Sequence, residues 1–291
     1  MSRPPQIELI AGPTASGKSA LAMARARETG AVIINADSQQ LYADLRVLTA
    51  RPSVEDEAAV EHRLYGVADA AEAWSVGRWA RAVMPILAEL GEAGRQALLV
   101  GGTGLYFTAL TKGLADIPDV PVEVRDTVEQ TFDAEGEAAF RSRLSTRDPQ
   151  AAQRIETGDR QRLIRAMSVA EHTGRALSDW SADTTPLLAP GSWTGCVVEP
   201  DRAVLYARCD RRVESMIANG ALDEVQALIR RKLDPALPAM KAVGVRELSA
   251  HLGGSISRDD AIAVTQQATR NYAKRQLTWF RNQTADWPRA A

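Results

Sequence analysis

The feature that most constrains this chain is the stretch IELIAGPTASGKSALAMA at residues 7–24, where a short apolar run enters a glycine-containing loop and then a helix-forming segment. The motif G-x-x-x-x-G-K-[ST] is completed there by Gly12, Gly17, Lys18 and Ser19. A loop of this kind between a strand and a helix directs backbone N–H groups at phosphate oxygens, while the lysine adds a cation and the hydroxyl can ligate Mg²⁺. The sequence therefore predicts a unit that binds a polyphosphate, and it leaves open which organic group the phosphates carry.

Two further apolar segments are predicted to be buried strands. AVIINAD ends at Asp37, and ALLVGGTGLYF breaks at Gly101-Gly102, just before Thr103. Short apolar strands that alternate with helices are typical of a parallel sheet, whose ligands bind at the carboxyl ends of the strands. We therefore expect an α/β fold with a P-loop NTPase-like parallel sheet core, in which the phosphate loop, Asp37 and Thr103 lie at one edge.

The middle of the chain has a different character. After IPDVP at 117–121 the sequence is helical, without an obvious buried strand until TGCVVEP at 194–200. We predict that residues 112–197 form an inserted all-helical subdomain. Residues 1–111 and 198–291 would then form the P-loop core, with a helical C-terminal region.

The formal net charge of −2 hides two basic segments. Residues 141–165 carry seven arginines against three acidic residues, and residues 269–291 carry five basic residues against one. On a helix, Arg270, Lys274 and Arg281 would lie within ~40° of one another and form a basic stripe. Such charge runs are most often solvated helix faces, but they can also bind nucleic acid, so their position in the fold must decide.

Composition excludes several classes of function. The two cysteines, Cys196 and Cys209, have no paired spacing with the three histidines, so we expect no zinc site. No run approaches the ~18 apolar residues of a membrane span, and MSRPPQ at the N-terminus lacks the apolar region of an export signal. We expect a cytoplasmic monomer that does not engage a membrane.

The polar residues that follow the second and third strands suit base recognition and proton transfer. Ser38, Gln39 and Gln40 offer hydroxyl and amide groups to base edges, and the Asp37 carboxylate can accept a proton from an amine or hold Mg²⁺ through water. Thr103 in VGGTGLY offers a small hydroxyl. The alternatives are a loop that caps the next helix for the first segment and a tight strand-to-helix turn for the second.

Taken together, these motifs resemble those of the tRNA dimethylallyltransferases, also called tRNA isopentenyltransferases. The matching segments follow one another along nearly the whole chain: GPTASGKS at 12–19, DSQQLY at 37–42, LTARPS at 48–53, VGGTGLY at 100–106, GDRQRLIRA at 158–166 and TRNYAKRQLTWFR at 269–281. Many kinases share the phosphate loop, whereas DSxQ and AKRQxTWFR are distinctive of the family.

The resemblance implies the reaction and its partners. In this family the loop binds dimethylallyl diphosphate in place of a nucleotide, with Mg²⁺. The dimethylallyl group passes to the exocyclic N6 of the adenosine 3′ of the anticodon, position 37, which yields N6-(dimethylallyl)adenosine and diphosphate. The helical subdomain is expected to clamp the anticodon stem-loop of the tRNA, and the target base is flipped into a channel.

The resemblance also implies the roles of individual residues. Asp37 matches the general base, and Thr103 matches the threonine beside it. The donor site is assigned to Gly12, Pro13, Thr14, Ala15, Ser16, Gly17, Lys18, Ser19 and Arg212, with Ser19 as the Mg²⁺ ligand and Arg212 preferred to Arg208. The tRNA contacts are assigned to Asp37, Ser38, Gln39, Gln40, Thr103, Arg125, Gln161, Arg162, Leu163, Ile164 and Arg165.

The sequence departs from the family pattern at a few positions. Val245 stands where many members have an aromatic residue, and Gln39 stands where arginine is frequent, so one tRNA contact is expected to be weaker. The C-terminal zinc module of some eukaryotic relatives is missing, which favours the bacterial type. Two other functions stay open at this point: a small-molecule or nucleoside kinase that uses ATP, and a P-loop RNA-binding regulator without turnover.

Overall fold

A parallel sheet of six strands forms the centre of the first of two units in the computed structural model, which describes residues 7–290. Its strands are β1 (Ile7–Ala11), β2 (Val32–Asn35), β3 (His62–Arg63), β4 (Ala97–Gly101), β5 (Trp193–Val198) and β6 (Arg289–Ala290). Their order across the sheet is β3-β2-β4-β1-β5-β6, and every neighbouring pair is parallel. The predicted parallel P-loop core is confirmed; the expectation drawn from MSRPPQ at 1–6 lies outside the described residues.

Helices connect and flank these strands. The helices among the described residues are α1 (Lys18–Thr29), α2 (Val54–Ala59), α3 (Val76–Glu92), α4 (Gly104–Thr111), α5 (Val122–Arg147), α6 (Pro149–Arg154), α7 (Arg160–Thr173), α8 (Leu177–Ala182), α9 (Arg202–Ala218), α10 (Ala221–Arg230), α11 (Val245–Leu252) and α12 (Arg258–Gln283). A 3₁₀ turn spans Ala239–Lys241. The first unit consists of Met1–Thr111 and Leu188–Ala291, and the second of Lys112–Leu187.

Sequence and burial agree in the sheet. All four residues of β2 and all five of β4 are buried, as expected for central strands covered on both faces by helices. Strand β1 lies between β4 and β5, with Ala11 level with Gly101, and Asn35 at the end of β2 is level with Val100. The carboxyl ends of β1, β2 and β4 therefore lie at the same edge, and each runs directly into a predicted site segment.

The second unit is helical. Its core contains Val128, Phe140, Leu144, Leu163 and Met167, all buried. The first unit resumes at Leu188, earlier than the predicted residue 198, because β5 begins at Trp193 and pairs with β1 along its length. The segment TGCVVEP at 194–200 contains most of β5 but not its first residue, Trp193.

Candidate active site

The loop between β1 and α1 has the backbone that the motif predicts. Gly17 caps α1 with φ of +101°, a conformation that L side chains rarely adopt. A Cβ on Gly12 would lie 2.8 Å from both Ser16 Oγ and the Val198 carbonyl oxygen, so only glycine fits there without movement. The Ser16 N–H donates to Pro13 O at 3.2 Å, which closes the turn. The loop thus leads into the positive end of a 12-residue helix.

Lys18 is buried at this loop, with 8% of the residue exposed. Its Nζ donates to Pro13 O at 3.1 Å. Burial lowers the pKa of Lys18 to about 8; the Asp37 carboxylate opposes this shift and the Arg212 guanidinium adds to it. An anionic ligand would stabilise the charged form of a buried lysine of this kind, because it would add negative charge to the part that Asp37 already supplies.

Asp37 follows β2 and is held in place by its neighbours. Only 8% of the residue is exposed. The Asn35 side chain accepts the Asp37 N–H at 2.7 Å and donates to the Asp37 carbonyl at 3.0 Å, while the Gln39 N–H donates to Asp37 Oδ1 at 3.0 Å. The Trp79 indole N–H donates to Asn35 O at 2.9 Å. The backbone of Asp37 is therefore fixed by buried contacts before any substrate binds, and one backbone N–H orients its carboxylate.

Thr103 connects the end of β4 to the end of β2. Its Oγ1 accepts the Ser38 N–H at 2.9 Å and lies 3.2 Å from Ser38 Oγ, while its own N–H donates to Ala36 O at 3.3 Å. Thr103 and Ser38 thus form one hydroxyl pair beside Asp37.

A cleft in the first unit collects the chemistry-bearing side chains. Its empty space, open solvent included, is ≈ 500 Å³. The lining consists of Thr14, Lys18, Asp37, Gln39, Gln40, Leu48, Thr49, Arg212, Met216, Val243, Thr265, Thr269 and Tyr272. Among the described residues, this lining does not include Ser19, Ser38 or Thr103. Cationic, carboxylate and apolar groups are nevertheless brought together by a lining that comes from six separate segments of the sequence.

Two arginines on α9, one helical turn apart, reach this region. The Arg208 Nη1 donates to Ser16 O at 3.0 Å, so Arg208 contacts the backbone of the phosphate loop. The Arg212 Nη2 donates to Thr49 O at 3.1 Å, and its buried Nε has no hydrogen-bond partner. Burial lowers the pKa of Arg212, and Asp37 opposes that shift. Arg212 lines the cleft, as predicted for a ligand of the diphosphate; that role itself stays a prediction.

Sequence reasoning missed the residue that shapes the segment 46–50. The Glu224 carboxylate on α10 accepts three successive backbone N–H groups, those of Arg46, Val47 and Leu48, at 2.8, 2.7 and 2.9 Å. The Gln40 Nε2 donates to the carbonyls of Thr49 and Ala50, each at 2.9 Å. The Gln40 amide N–H₂ therefore already supports the cleft wall. No local signal in the sequence around Glu224 indicated this contact.

Helix α12 supplies another wall. Thr265, Thr269 and Tyr272 line the cleft, and Gln276 continues the same face at helical spacing. Burial raises the pKa of Tyr272, and the Asp37 carboxylate adds to the shift. The basic residues of α12 predict a role in binding nucleic acid, whereas the contacts of this helix with the cleft come from its uncharged face.

The residues predicted to bind tRNA in the second unit fall into two groups. Arg125, Gln161, Arg162 and Arg165 are exposed. The guanidinium of Arg165 is nevertheless partly desolvated, and this desolvation, with the neighbouring Arg125 as the second cause, lowers the pKa of Arg165. Leu163 and Ile164, by contrast, are 0% and 5% exposed within the core of this unit. Their side chains do not face solvent, because α7 turns these two positions inward; the tRNA contact assigned to the segment 161–165 stays a prediction.

Many arginines of the two basic segments form ion pairs within the protein. On α12, Arg270 pairs with Asp210 and Arg281 pairs with Glu199, so two of the three stripe residues are neutralised within the protein. In the second unit, ion pairs form between Arg141 and Glu137, Arg143 and Glu135, Arg160 and Asp133, and Arg162 and Asp159. Most of this charge belongs to solvated helix faces.

None of the helices in residues 7–290 combines the length and the apolar character that a membrane span requires. The same residues also hold no group of three or more His, Cys, Asp or Glu side chains that could bind a metal ion by itself.

The fold and site define a P-loop α/β protein whose phosphate loop adjoins a buried carboxylate. The sequence pattern of the family described as IPP transferase matches residues 40–283, and that of isopentenyl transferase matches residues 5–70. The chain belongs to the IPP transferase family.

Individual relatives agree along nearly the whole chain. A tRNA dimethylallyltransferase of Caulobacter sp. (strain K31) is 57% identical over 284 residues, which are 98% of this chain and 92% of that protein. One of Phenylobacterium zucineum (strain HLK1) is 58% identical over 285 residues, again 98% and 92%. The crystal structure of a tRNA isopentenylpyrophosphate transferase from Bacillus halodurans is similar with a TM-score of 0.69 and 31% identity, covering 98% of this chain and 89% of that one.

Proposed function

We propose that this protein transfers a dimethylallyl group from dimethylallyl diphosphate to the exocyclic N6 of the adenosine 3′ of the anticodon, position 37, in tRNA. The products are N6-(dimethylallyl)adenosine and diphosphate. One observation carries the proposal: Lys18, Arg212 and Asp37 line the same cleft of a chain whose family transfers isopentenyl groups. Cations beside a carboxylate are what the alkylation of an amine by an allylic diphosphate requires.

The donor is proposed to bind through its diphosphate to the loop at 12–19. The backbone N–H groups and the N-terminus of α1 hold the phosphate oxygens. Lys18 and Arg212 neutralise the charge that grows on the leaving oxygen as the bond between C1 of the dimethylallyl group and that oxygen breaks. Leu48, Met216 and Val243 give the cleft apolar surface that suits the five-carbon chain.

Asp37 is the proposed proton acceptor. As the bond from N6 to C1 forms, the N6 proton passes to the Asp37 carboxylate and the electron pair of the broken C1–O bond leaves with the diphosphate. The Gln39 N–H orients this carboxylate through Oδ1, while Asn35 fixes the backbone of Asp37. Thr103 positions Ser38 beside it.

Mg²⁺ is the proposed cofactor. Ser19 lies exposed in the first turn of α1, directly after Lys18, which fits a hydroxyl ligand that shares the ion with donor phosphates and water. When bound, the ion would add to the neutralisation of the leaving diphosphate.

The acceptor is proposed to be the anticodon stem-loop of a tRNA. Ser38, Gln39 and Gln40 would contact the target nucleotide, which must leave the base stack to be reached. The exposed Arg125, Gln161, Arg162 and Arg165 would contact the phosphate backbone, where each arginine adds affinity that depends on salt. The protein is proposed to act as a monomer.

The two other functions considered for this chain are not favoured. A kinase would use ATP on the same loop, but the family pattern spans the core and the helical unit of an isopentenyl transferase. A regulator without turnover would not need the buried carboxylate of Asp37 in the cleft.

Mass spectrometry of nucleosides from tRNA lacking the modification tests the proposal. Incubation with the protein, Mg²⁺ and dimethylallyl diphosphate should add one dimethylallyl group to adenosine at position 37, and replacement of the donor by ATP should add nothing. A matched reaction with Lys18→Ala should lose most of the product. Phosphoryl transfer from ATP to a nucleoside, or binding of tRNA without product, would contradict the proposal and favour one of the two alternatives.

A further inference from the structure

Gln276 connects two loops of the site through a single side-chain amide. It lies on α12 and is 6% exposed. Its Oε1 accepts the Thr14 N–H at 2.8 Å, and its Nε2 donates to the Gly102 carbonyl at 2.9 Å. Both ends of the amide are therefore used, by residues far away in the sequence.

The two connected loops carry the two halves of the proposed reaction. Thr14 belongs to the phosphate loop and lines the cleft. Gly102 precedes Thr103, and a Cβ on Gly102 would collide with the Gln276 amide and lie 3.3 Å from Asp37 Oδ2. The amide of Gln276, the backbone of Gly102 and the Asp37 carboxylate are thus packed against one another.

The helix that carries Gln276 is suited to hold this arrangement. Thr265, Thr269 and Tyr272 precede Gln276 at intervals of four, three and four residues, so all four share one helical face. The first three line the cleft. The 26-residue helix therefore forms a continuous wall whose last contact is the bridge between the two loops.

We propose that Gln276 is a positioning residue of the transfer reaction. By fixing the phosphate loop relative to the end of β4, it sets the distance between the leaving diphosphate and the Asp37 carboxylate. This inference rests on the proposed function. A displacement of about 1 Å between reacting groups can reduce a rate on the order of 10²-fold, so one amide at this junction can control the chemical step without touching the substrate.

The test compares Gln276→Met, which keeps the length of the side chain but loses both hydrogen bonds, with Gln267→Met. Gln267 is exposed on the same helix, so its variant controls for helix propensity. At saturating donor and tRNA, the single-turnover rate of Gln276→Met should fall roughly 10- to 100-fold, with tRNA affinity within about threefold of wild type. Gln267→Met should react like wild type. Thermal unfolding confirms that each variant is folded.

The pH dependence of Gln276→Glu distinguishes a hydrogen-bonding role of Gln276 from a role in packing alone. The protonated carboxyl can accept the Thr14 N–H and donate its O–H to the Gly102 carbonyl, whereas the ionised carboxylate loses the donor and is repelled by that oxygen. The rate of Gln276→Glu relative to wild type should therefore rise as the pH falls. Because the protonated form keeps both bonds, this variant also carries the test if Gln276→Met does not fold.

A third arm does not depend on the chemistry. Binding of inorganic diphosphate, measured by calorimetry, should be roughly three- to tenfold weaker in Gln276→Met, because the Thr14 segment of the loop is no longer fixed. If wild type binds diphosphate but forms no prenylated tRNA, the proposed function fails while this arm still tests the hold on the loop. Single-turnover rates equal to Gln267→Met, a flat pH ratio, or unchanged diphosphate affinity would each overturn the role of Gln276.

Discussion

Asn35 holds Asp37 by both of its backbone polar groups: Asn35 Oδ1 accepts the Asp37 N–H at 2.7 Å, and Asn35 Nδ2 donates to the Asp37 carbonyl at 3.0 Å. Asn35 is itself fully buried, and its Nδ2 also donates to Leu64 O at 3.0 Å. The last residue of β2 therefore fixes the backbone of the proposed base, which lies two residues further along the chain. Ordering achieved during folding need not be repeated when the substrate binds.

Substitution of Asp37 by Asn should lower the single-turnover rate by ~10²–10⁴-fold, the usual contribution of a positioned base. The shape is retained and the side-chain oxygen can still accept from the amine, so tRNA affinity should change by no more than about tenfold. Rapid-quench measurements with saturating tRNA, together with filter binding, separate the two effects.

Ser38→Ala provides the contrast for this experiment. It removes a hydroxyl beside Thr103 and no proton acceptor, so it should affect tRNA affinity more than the chemical step. A near wild-type rate for Asp37→Asn would show that Asp37 is not the base, and a diphosphate oxygen or water would then take the proton.

Donor binding should depend on pH through Lys18. The pKa of Lys18 is lowered to about 8, and only the protonated amine attracts the diphosphate. The affinity for dimethylallyl diphosphate should thus be greatest below that pH and decline as the pH rises through it. Calorimetry at ~pH 7 and ~pH 9.5 measures the change, and Lys18→Arg should show a flatter profile because guanidinium stays charged. Parallel profiles for both proteins would assign the titration to another group.

Glu224→Ala should lower the free energy of unfolding by roughly 1–3 kcal/mol, because three partly buried backbone N–H groups lose the carboxylate that accepts from them. The same variant should raise the KM for the donor. Leu48 and Thr49, which line the cleft, lie in or next to the segment that this carboxylate holds. Asp223→Ala, an exposed neighbour on the same helix, serves as the control. Steady-state kinetics and urea unfolding check both effects; equal behaviour of the two variants would argue against a role for Glu224.

Joint replacement of Arg162 and Arg165 by alanine should weaken tRNA binding and flatten its salt dependence, by about one unit of slope for each lost phosphate contact. The affinity for the donor should be unchanged. Arg160→Ala is the matched control on the same helix, since Arg160 contacts both carboxylate oxygens of Asp133, whereas Arg162 makes a single ion pair with Asp159. The affinity for tRNA, measured across a series of salt concentrations, tests this prediction. An unchanged salt dependence together with weaker donor binding would show that these arginines act at the donor site and not on tRNA.

The ionised carboxylate of Asp148 should stabilise the second unit at neutral pH, and this stabilisation should decrease at acidic pH. Burial acts to raise the pKa of Asp148, but hydrogen bonds from Ser178 and from the backbone N–H of Ala151 outweigh it and lower the pKa. The ionised carboxylate therefore stabilises the fold above its ordinary pKa of about 3.9, and this contribution is lost as the pH falls through the lowered value.

Asp148→Asn should consequently unfold at lower temperature than wild type at neutral pH, with the difference narrowing on acidification. Calorimetry across the acid range follows both proteins. The exposed Asp126→Asn should follow wild type throughout. A difference that stays constant with pH would show that shape, and not charge, is what the site requires.

Much of the site could be predicted because it is local. The phosphate loop, Asp37 and Thr103 each lie within two residues of the end of a strand, and the parallel sheet aligns the ends of β1, β2 and β4. The motif QRLIR predicts one contact segment, whereas the helical periodicity of α7 separates it into two faces. Leu163 and Ile164 face the core of the second unit because the two sides of an amphipathic helix have different environments.

The sequence by itself determined the loop backbone, the strand ends and the family, since each depends on residue types at short, fixed spacing. The tertiary structure alone decided that Glu224 holds the segment 46–48, that Gln276 bridges Thr14 and Gly102, and that Arg270 is paired with Asp210. These contacts join residues 60 to 262 positions apart. No local pattern specifies such pairs, because they arise only when separate helices pack against the sheet and bury polar groups that must then find partners.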